Sequence, residues 1–194
     1  QLVLWAMLEA PPEEEFAATD LPLDDIDRIA ALVPAVRQWA HSGDTKRDAL
    51  VAQLADRRPS LVFATARETV RYLRECLPAP VAWCTGESAG LGPARLARDT
   101  VLQWFGPTHR WAGPGAPPAV LVSTDVSAEG LDLQAAARVV HYDLPWTSVR
   151  LVQREGRALR RGSMHDSVEV IRFEPPPAIE ERLRQSWQLA RKRG

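Results

Sequence analysis

Cysteine and long apolar runs are both scarce in this chain of 194 residues, and each scarcity excludes a class of protein. Two cysteines are too few for a disulfide framework, which favours a reducing cytoplasm. They also lack the paired spacing of a zinc site, and the four histidines are scattered, so we expect no bound metal. No apolar run approaches the roughly 18 residues that cross a membrane, so we expect no membrane association.

Charge is balanced overall but unevenly distributed. The net charge is −1, yet residues 1–27 carry eight acidic and no basic side chains, whereas residues 150–162 carry five arginines against Glu155. Twenty-two of the 24 basic residues are arginine, whose planar fork of donors suits phosphate groups. We interpret the cluster at 150–162 as a candidate anion site. A solvated helix face accounts for the scattered arginines, and for Arg154 and Arg161 within the cluster.

Composition divides the chain into three parts. Residues 1–43 are typical of a helical or irregular lead-in, with helical spacing over 24–39. Residues 44–174 are typical of one α/β domain, and residues 175–194 of a C-terminal helix that follows three prolines. Because the chain begins at Gln1 rather than methionine and has no basic flank, we expect a piece of a longer polypeptide without a signal peptide.

Within the central domain, short apolar runs alternate with segments of helical spacing. This alternation indicates βαβ units and predicts a parallel, doubly wound sheet. Residues 106–118 hold three glycines and four prolines and predict a long mobile loop; Trp111 there and Trp146 in a later loop are candidates for base stacking. The predicted strands are 61–64, 81–84, 120–122, 138–142 and 168–173, and the predicted helices are 45–54, 67–77, 93–105 and 148–160.

The segment after the third predicted strand carries residues suited to phosphate and sugar groups. Ser123 and Thr124 offer hydroxyl and backbone N–H donors at a strand end, where the working residues of such sheets lie. Gly130 permits a close backbone approach, and Asp132 can accept a hydrogen bond from a sugar hydroxyl. Taken alone, the segment is equally consistent with a capped turn.

A second segment, about twenty residues further along, has the frame Q-x-x-G-R-x-x-R-x-G. Arg157 and Arg160 are three residues apart, so on a helix they share one face, and Gly156 leaves that face open to a bulky anion. Two guanidinium groups at one phosphate neutralise the charge that develops during phosphoryl transfer. A solvated helix face does not explain this frame.

These two segments resemble motifs V and VI of superfamily 2 helicases, which lie in the C-terminal RecA-like lobe of the motor. Residues 139–146 and the ending Leu133-Gln134 resemble the Swi/Snf-type branch, particularly its bacterial members. Residues 61–69, together with Tyr72-Leu73, are similar to motif IV. The resemblance covers about residues 44–173. It implies an α/β fold of the RecA-like kind, a parallel sheet flanked by helices.

The resemblance implies a role for each matching residue. Arg157 and Arg160 would act on the γ-phosphate of ATP held on another lobe, with Gln153 at the surface between the lobes. The residues implied to border the nucleotide are Gly130, Asp132 and Gly156, and those implied to touch the nucleic-acid backbone are Ser123, Thr124, Thr65 and Arg67.

The residues that bind nucleotide phosphates and magnesium in such a motor are missing from the sequence. A P-loop needs Gly-Lys followed by Ser or Thr, but only Lys46 and Lys192 are present and neither follows a glycine. There is no DEAD- or DEAH-like acidic box either. We therefore expect ATP and Mg²⁺ to be bound mainly by an N-terminal RecA-like lobe of the same polypeptide. The chain alone is expected to hold no cofactor and to hydrolyse no ATP.

These patterns predict the C-terminal lobe of an ATP-dependent DNA translocase or helicase in the cytoplasm, with double-stranded DNA as the nucleic-acid partner. Two alternatives stay open: a non-catalytic RecA-like binding module, and the same lobe in an RNA-directed helicase. A G-x-x-x-x-G-K-[ST] segment upstream of Gln1 in the parent gene would favour the motor over the binding module.

Overall fold

The computed structural model describes residues 27–28, 30–35, 38, 43–78, 80–86, 88–108, 111–125, 132–160, 163–175 and 177. The chain divides into two compact units, Gln1–Asp44 and Thr45–Gly194. In the first unit, residues 30–35 are helical, and the rest of the helix predicted over 24–39 lies partly outside the described residues. The predicted C-terminal helix also lies outside them, apart from residues 175 and 177.

The second unit is built around one sheet. Its strands are β1 (Ser60–Phe63), β2 (Ala82–Cys84), β3 (Ala89–Leu91), β4 (Ala94–Leu96), β5 (Val120–Ser123), β6 (Arg138–His141) and β7 (Glu169–Arg172). Its helices are α1 (Thr45–Gln53), α2 (Arg67–Cys76), α3 (Arg98–Gln103) and α4 (Ser148–Ala158). The strand order is β4-β3-β2-β5-β1-β6-β7, and the five strands from β2 to β7 in this order are parallel. This arrangement confirms the predicted α/β fold of the RecA-like kind, with helices flanking the sheet.

Each face of the sheet covers its own apolar core because side chains alternate along a strand. Leu61 and Phe63 of β1 belong to the core that includes α3, whereas Val62 and the adjoining Ala64 belong to the core that includes α1 and α2. Every residue of β1 and β6 is buried. Burial on both faces is the reason why Leu61–Phe63 of β1 and Val139-Val140 of β6 are consecutive apolar residues in the sequence.

The register of the parallel strands brings their carboxyl ends to one level. Phe63 of β1 pairs with Ser123 of β5 and with His141 of β6, and Cys84 of β2 also pairs with Ser123. We call this side of the sheet the carboxyl edge. The loops that leave it begin at Ala64, Thr85, Thr124 and Tyr142.

The sheet differs from the prediction on its β4 side. β3 and β4 form an antiparallel hairpin, so the sheet is mixed rather than wholly parallel. The helix predicted to begin at Pro93 begins only at Arg98. The hairpin depends on two glycines: Gly92 has a φ of +53° in the turn, and a Cβ on Gly90 would lie 2.0 Å from the Ala94 carbonyl oxygen.

The loop at 106–118 is anchored by one of its own aromatic residues. The Trp111 indole lies edge-on to Trp104 with ring centroids 4.9 Å apart, and its Nε1 donates to the Gly115 carbonyl at 3.0 Å. Trp111 therefore packs against the core instead of presenting its ring for base stacking. Trp146, the other stacking candidate, is 64% exposed.

A buried arginine fastens the opposite, amino edge of the sheet. Arg138, the first residue of β6, is 4% exposed and donates to both carboxylate oxygens of Asp56, at 2.7 and 3.0 Å. Its Nε donates to Glu169 of β7 at 2.7 Å, and its Nη1 also donates to the Gln53 carbonyl in α1. Hydrogen bonding to Arg138 lowers the pKa of Asp56 to about 2. One guanidinium thus joins α1, the turn after it and two strands.

Replacing Arg138 with methionine should lower the free energy of unfolding by about 2 kcal/mol. Methionine retains part of the packing but removes every hydrogen bond that the guanidinium donates, while Asp56 and Glu169, each 43% exposed, regain water. Urea denaturation measures the change. Arg58→Met is the control, because the exposed pair of Arg58 with Glu169 is worth less than about 1 kcal/mol. Equal losses in the two variants would contradict the anchoring role.

Candidate functional site

Asp143 organises the middle of the carboxyl edge. It lies two residues after β6 and accepts the Thr65 backbone N–H at 3.0 Å through one oxygen and the Lys46 ammonium at 3.1 Å through the other. The Lys46 Nζ also lies 4.0 Å from the centre of the Tyr142 ring. Asp143 therefore joins the loop after β1 to the beginning of α1.

Asp125, two residues after β5, holds the buried side chain of Arg154 in α4. The Arg154 side chain is 2% exposed; its Nη2 donates to Asp125 Oδ2 at 2.9 Å, and its Nε donates to the other carboxylate oxygen. Its Nη1 donates to the Asp143 carbonyl oxygen at 2.7 Å. The guanidinium carbon lies 5.3 Å from the centre of the Phe63 ring. Arg154 thus connects α4 to the loops after β5 and β6.

The expectation that Arg154 lies on a solvated face is wrong. The buried residues of α4 recur every three or four positions and form the face that packs on the sheet. They are Ser148, Leu151, Arg154 and Ala158. Because Arg154 occupies a core position on this face, its charge requires the acceptors that Asp125 and Asp143 supply. Arg161, for which the same expectation was made, lies outside the described residues.

His141 lies beside this arginine and is held in its neutral form. It is fully buried at the end of β6, with Nδ1 3.5 Å from Arg154 Nη1 and Nε2 3.3 Å from Glu155 Oε1. Arginine can only donate, so Nδ1 is the acceptor and Nε2 carries the proton. Burial, and next the positive charge of Arg154, lower the pKa of His141 from 6.5 to about 4. Arg172 of β7 holds Glu155 from another side, at 2.9 Å.

Three of the predicted site residues come together at the end of α4. Arg157 is half-buried in the last turn, and its guanidinium has no hydrogen-bond or ion-pair partner among the described residues. Its backbone carbonyl accepts the Leu133 N–H at 3.0 Å, which holds the neighbouring Asp132 beside the end of the helix. Asp132 pairs in turn with Arg160, and both of these side chains are exposed.

The prediction that Arg157 and Arg160 share a helical face is wrong. The helix ends at Ala158, so Arg160 is positioned by the turn after α4 and by its ion pair with Asp132. Gly156 does face open space, since no described atom beyond its own helix segment lies within 4 Å of the place its Cβ would take. Gln153 is exposed on the same helix.

The residues predicted to touch nucleic acid lie at the carboxyl edge but differ in exposure. Thr65 and Arg67 are exposed at the beginning of α2. Ser123 and Thr124 are buried; the Ser123 hydroxyl donates to the Thr124 carbonyl at 3.0 Å, and the Thr124 N–H donates to the Cys84 carbonyl at 3.2 Å. Thr65 and Arg67 are therefore accessible in this conformation. Gly130, predicted to border the nucleotide, lies outside the described residues.

Three residues that build this edge were not among the predicted site residues: Asp125, Asp143 and Lys46. Both aspartates carried a local signal, because each follows an apolar strand at the edge where functional loops begin. Lys46 carried none, since its partner Asp143 is 97 residues away along the chain.

The part of the chain that the structure describes contains neither a candidate metal site nor a candidate membrane span. Within the described ranges, no group of three or more His, Cys, Asp or Glu side chains could hold a metal ion. None of the described helices is long and apolar enough to span a membrane.

The shifted pKa of His141 predicts a pH dependence of stability. Between pH 7 and pH 5 the unfolded chain takes up a proton at His141 (pKa 6.5) before the folded chain does (pKa about 4). The free energy of unfolding should therefore fall by about 2 kcal/mol over this interval. Urea denaturation at pH 7, 6 and 5 measures the slope. His141→Gln should flatten it; the same slope in that variant would assign the effect to other groups.

Comparison with known proteins relates this chain to helicases. The family described as Helicase conserved C-terminal domain matches residues 45–162. The chain is 29% identical over 114 residues to the mitochondrial ATP-dependent RNA helicase MRH4 of Ajellomyces capsulatus (strain NAm1 / WU24). That alignment covers 59% of this chain and 15% of MRH4, so the chain spans only a small part of this curated relative.

Two solved structures share the fold. The C-terminal part of the Fun30 ATPase domain has a TM-score of 0.54 at 18% identity, covering 72% of this chain and 44% of that one. S. cerevisiae Dbp5 bound to RNA and ADP BeF3 has a TM-score of 0.54 at 22% identity, covering 74% of this chain and 36% of that one. Since the family match extends over more than half of its residues, the chain belongs to the Helicase conserved C-terminal domain family.

Proposed function

We propose that this chain is the C-terminal motor lobe of an ATP-dependent translocase of the Swi/Snf type that moves on double-stranded DNA. ATP and Mg²⁺ bind on a P-loop lobe of the same polypeptide, and closure of the two lobes brings Arg157 and Arg160 to the phosphates. The observation that carries the proposal is the Arg157 guanidinium, which is half-buried and has no acceptor among the described residues. Because its donors lack an acceptor in the described part of the lobe, this guanidinium can bind an anion that arrives from outside the lobe.

Arg160 can exchange its present partner, Asp132, for a phosphate at a small cost in free energy. The Arg160 and Asp132 side chains are 48% and 44% exposed, and an ion pair that exposed is worth about 0–1 kcal/mol. A phosphate group carries more negative charge than one carboxylate, and its oxygens accept the same pair of hydrogen bonds from the planar guanidinium. On closure Arg160 turns to the phosphate, which releases the Asp132 carboxylate to accept a ribose hydroxyl.

The chain contributes two kinds of contact to the cycle. Arg157 and Arg160 neutralise charge on the transferring phosphoryl group, while Thr65 and Arg67, exposed at the carboxyl edge, hold the nucleic-acid backbone. Backbone contacts make binding tolerant of base sequence and sensitive to salt. Repeated closing and opening of the two lobes would then move the pair along the strand.

RNA is the second candidate substrate. MRH4 is named an RNA helicase, and the Dbp5 structure contains RNA. The proposal of DNA rests on the Swi/Snf-like residues 139–146 and on the ending Leu133-Gln134. A comparison of ATP hydrolysis in the presence of DNA and in the presence of RNA decides between the two substrates.

In the polypeptide that joins this chain to its P-loop lobe, Arg157→Ala and Arg160→Ala should each lower kcat for ATP hydrolysis by about 10³- to 10⁵-fold. The Kd for ATP should change little, because the two charges act mostly on the transition state. Arg157→Lys should fail almost as badly, since an ammonium cannot copy the planar fork. Phosphate release in the presence of duplex DNA or duplex RNA measures the turnover.

Arg150→Ala is the matched control for these variants. Arg150 lies on the same helix with its side chain 48% exposed, and it reaches Asp125 only at 3.5 Å, so the turnover should stay close to that of the unmodified protein. Near-normal hydrolysis in both Arg157→Ala and Arg160→Ala would contradict the arginine-finger assignment and favour a non-catalytic module. Stimulation by RNA alone would move the substrate from DNA to RNA.

A further inference from the structure

Four arginines line a cleft between α2 and the hairpin of β3 and β4. The cleft has a volume of about 250 Å³, and its walls include Arg67, Arg71, Arg74, Arg95, Trp83 and Thr85. The first three arginines are spaced three or four residues apart on α2, so they follow one face of that helix, and the fourth faces them from β4. We call this feature the arginine cleft.

The positive charge of the arginine cleft is only partly balanced by the chain itself. Arg71 and Arg95 are exposed and have no hydrogen-bond or ion-pair partner among the described residues. Arg74 lies over the Trp83 ring at 5.2 Å and reaches the carboxylate of its neighbour Glu75 at 3.3 Å. Guanidinium groups around one cavity repel one another, and an anion that enters relieves this repulsion. The cleft is therefore suited to a negatively charged ligand.

The arginine cleft adjoins the residues that are proposed to grip nucleic acid. Thr85 directly follows Cys84, the last residue of β2, and the Cys84 carbonyl accepts the Thr124 N–H at 3.2 Å. Arg67 belongs to both sets, because it lines the cleft and lies two residues after Thr65. A strand held at Thr65 can thus continue into the cleft along the same edge of the sheet.

The cleft offers charge and no open aromatic face. Trp83 is 4% exposed, its Nε1 donates to the Gly92 carbonyl at 2.9 Å, and Arg74 covers its ring. The Thr85 hydroxyl is engaged with Ser88, whose carbonyl and hydroxyl oxygens both lie 3.2 Å away. The exposed groups that remain are guanidinium forks, which bind phosphate oxygens in pairs. Recognition here is of phosphates and does not read the bases.

We propose that the arginine cleft is a second phosphate-binding segment of the nucleic-acid path, in which Arg71 and Arg95 hold phosphodiester groups of the strand that passes Thr65. The inference rests on the proposed function, because the strand must already lie along the carboxyl edge. It adds Arg95, which lies outside the segments that resemble helicase motifs IV, V and VI, and Arg71, which lies within the span of motif IV but is not one of the residues that carry that resemblance. The strand is bound through its backbone, irrespective of its base sequence.

The test compares the unmodified chain with Arg71→Gln/Arg95→Gln in titrations of fluorescein-labelled oligonucleotides followed by anisotropy. DNA and RNA strands of the same sequence, single and duplex, are titrated from about 50 to 200 mM salt. We expect a loss of affinity of roughly tenfold and a reduction of about 1.5 in the slope of log K against log salt, as for two lost phosphate contacts. A loss with DNA alone or RNA alone supports the cleft and identifies which strand occupies it.

Arg57→Gln/Arg58→Gln is the control, since it removes the same charge at the amino edge of the sheet, just before β1. Its affinity should stay within about twofold of the unmodified chain. Equal losses in the two double variants, or no loss in Arg71→Gln/Arg95→Gln, would overturn the cleft proposal. So would a failure of the unmodified chain to bind any of the oligonucleotides at the lowest salt. These outcomes leave the arginine-finger assignment to be judged by the turnover of the Arg157 and Arg160 variants.

Discussion

A buried guanidinium needs an acceptor for its donors, and at Arg154 this requirement shapes the whole carboxyl edge. The acceptors come from the loops after β5 and β6, so both loops are held to α4. The same helix carries Arg157 in its last turn, and the Leu133 N–H fastens the segment of Asp132 to it. The candidate nucleotide residues and the loops that adjoin the proposed nucleic-acid path therefore belong to one hydrogen-bonded unit.

The arginines of this lobe divide into two groups by the acceptors around them. Arg138 and Arg154 are almost fully buried, and each has carboxylate and carbonyl partners that join several elements of the sheet. Arg157, Arg71 and Arg95 are partly or fully exposed and lack partners among the described residues. The first group stabilises the fold, whereas the second has donors that are unpaired within the described ranges and suit the proposed phosphate contacts. Composition alone does not separate them, because both groups contribute equally to the charge.

The central strands could be predicted from the sequence because burial on both faces makes their middle residues consecutive apolar ones. The hairpin of β3 and β4 could not, since each strand has three residues and their approach depends on Gly90 fitting beside Trp83. The frame Q-x-x-G-R-x-x-R-x-G predicted a candidate phosphate site at the end of α4, but it did not show which arginine faces the core. The burial of Arg154 depends on Asp125, 29 residues earlier in the chain, and a local pattern carries no information about that pairing.

A double-mutant cycle on Asp125 and Arg154 tests most directly whether the ion pair between these residues holds the loop after β5 to α4. The free energy of unfolding is measured by urea denaturation for Asp125→Asn, Arg154→Met and the double variant at pH 7. If the pair holds the edge together, each single change leaves a buried group without its partner, and the coupling energy should be about 2 kcal/mol or more. If the losses of the two single variants sum to the loss of the double variant within about 0.5 kcal/mol, the ion pair does not hold the loop to α4.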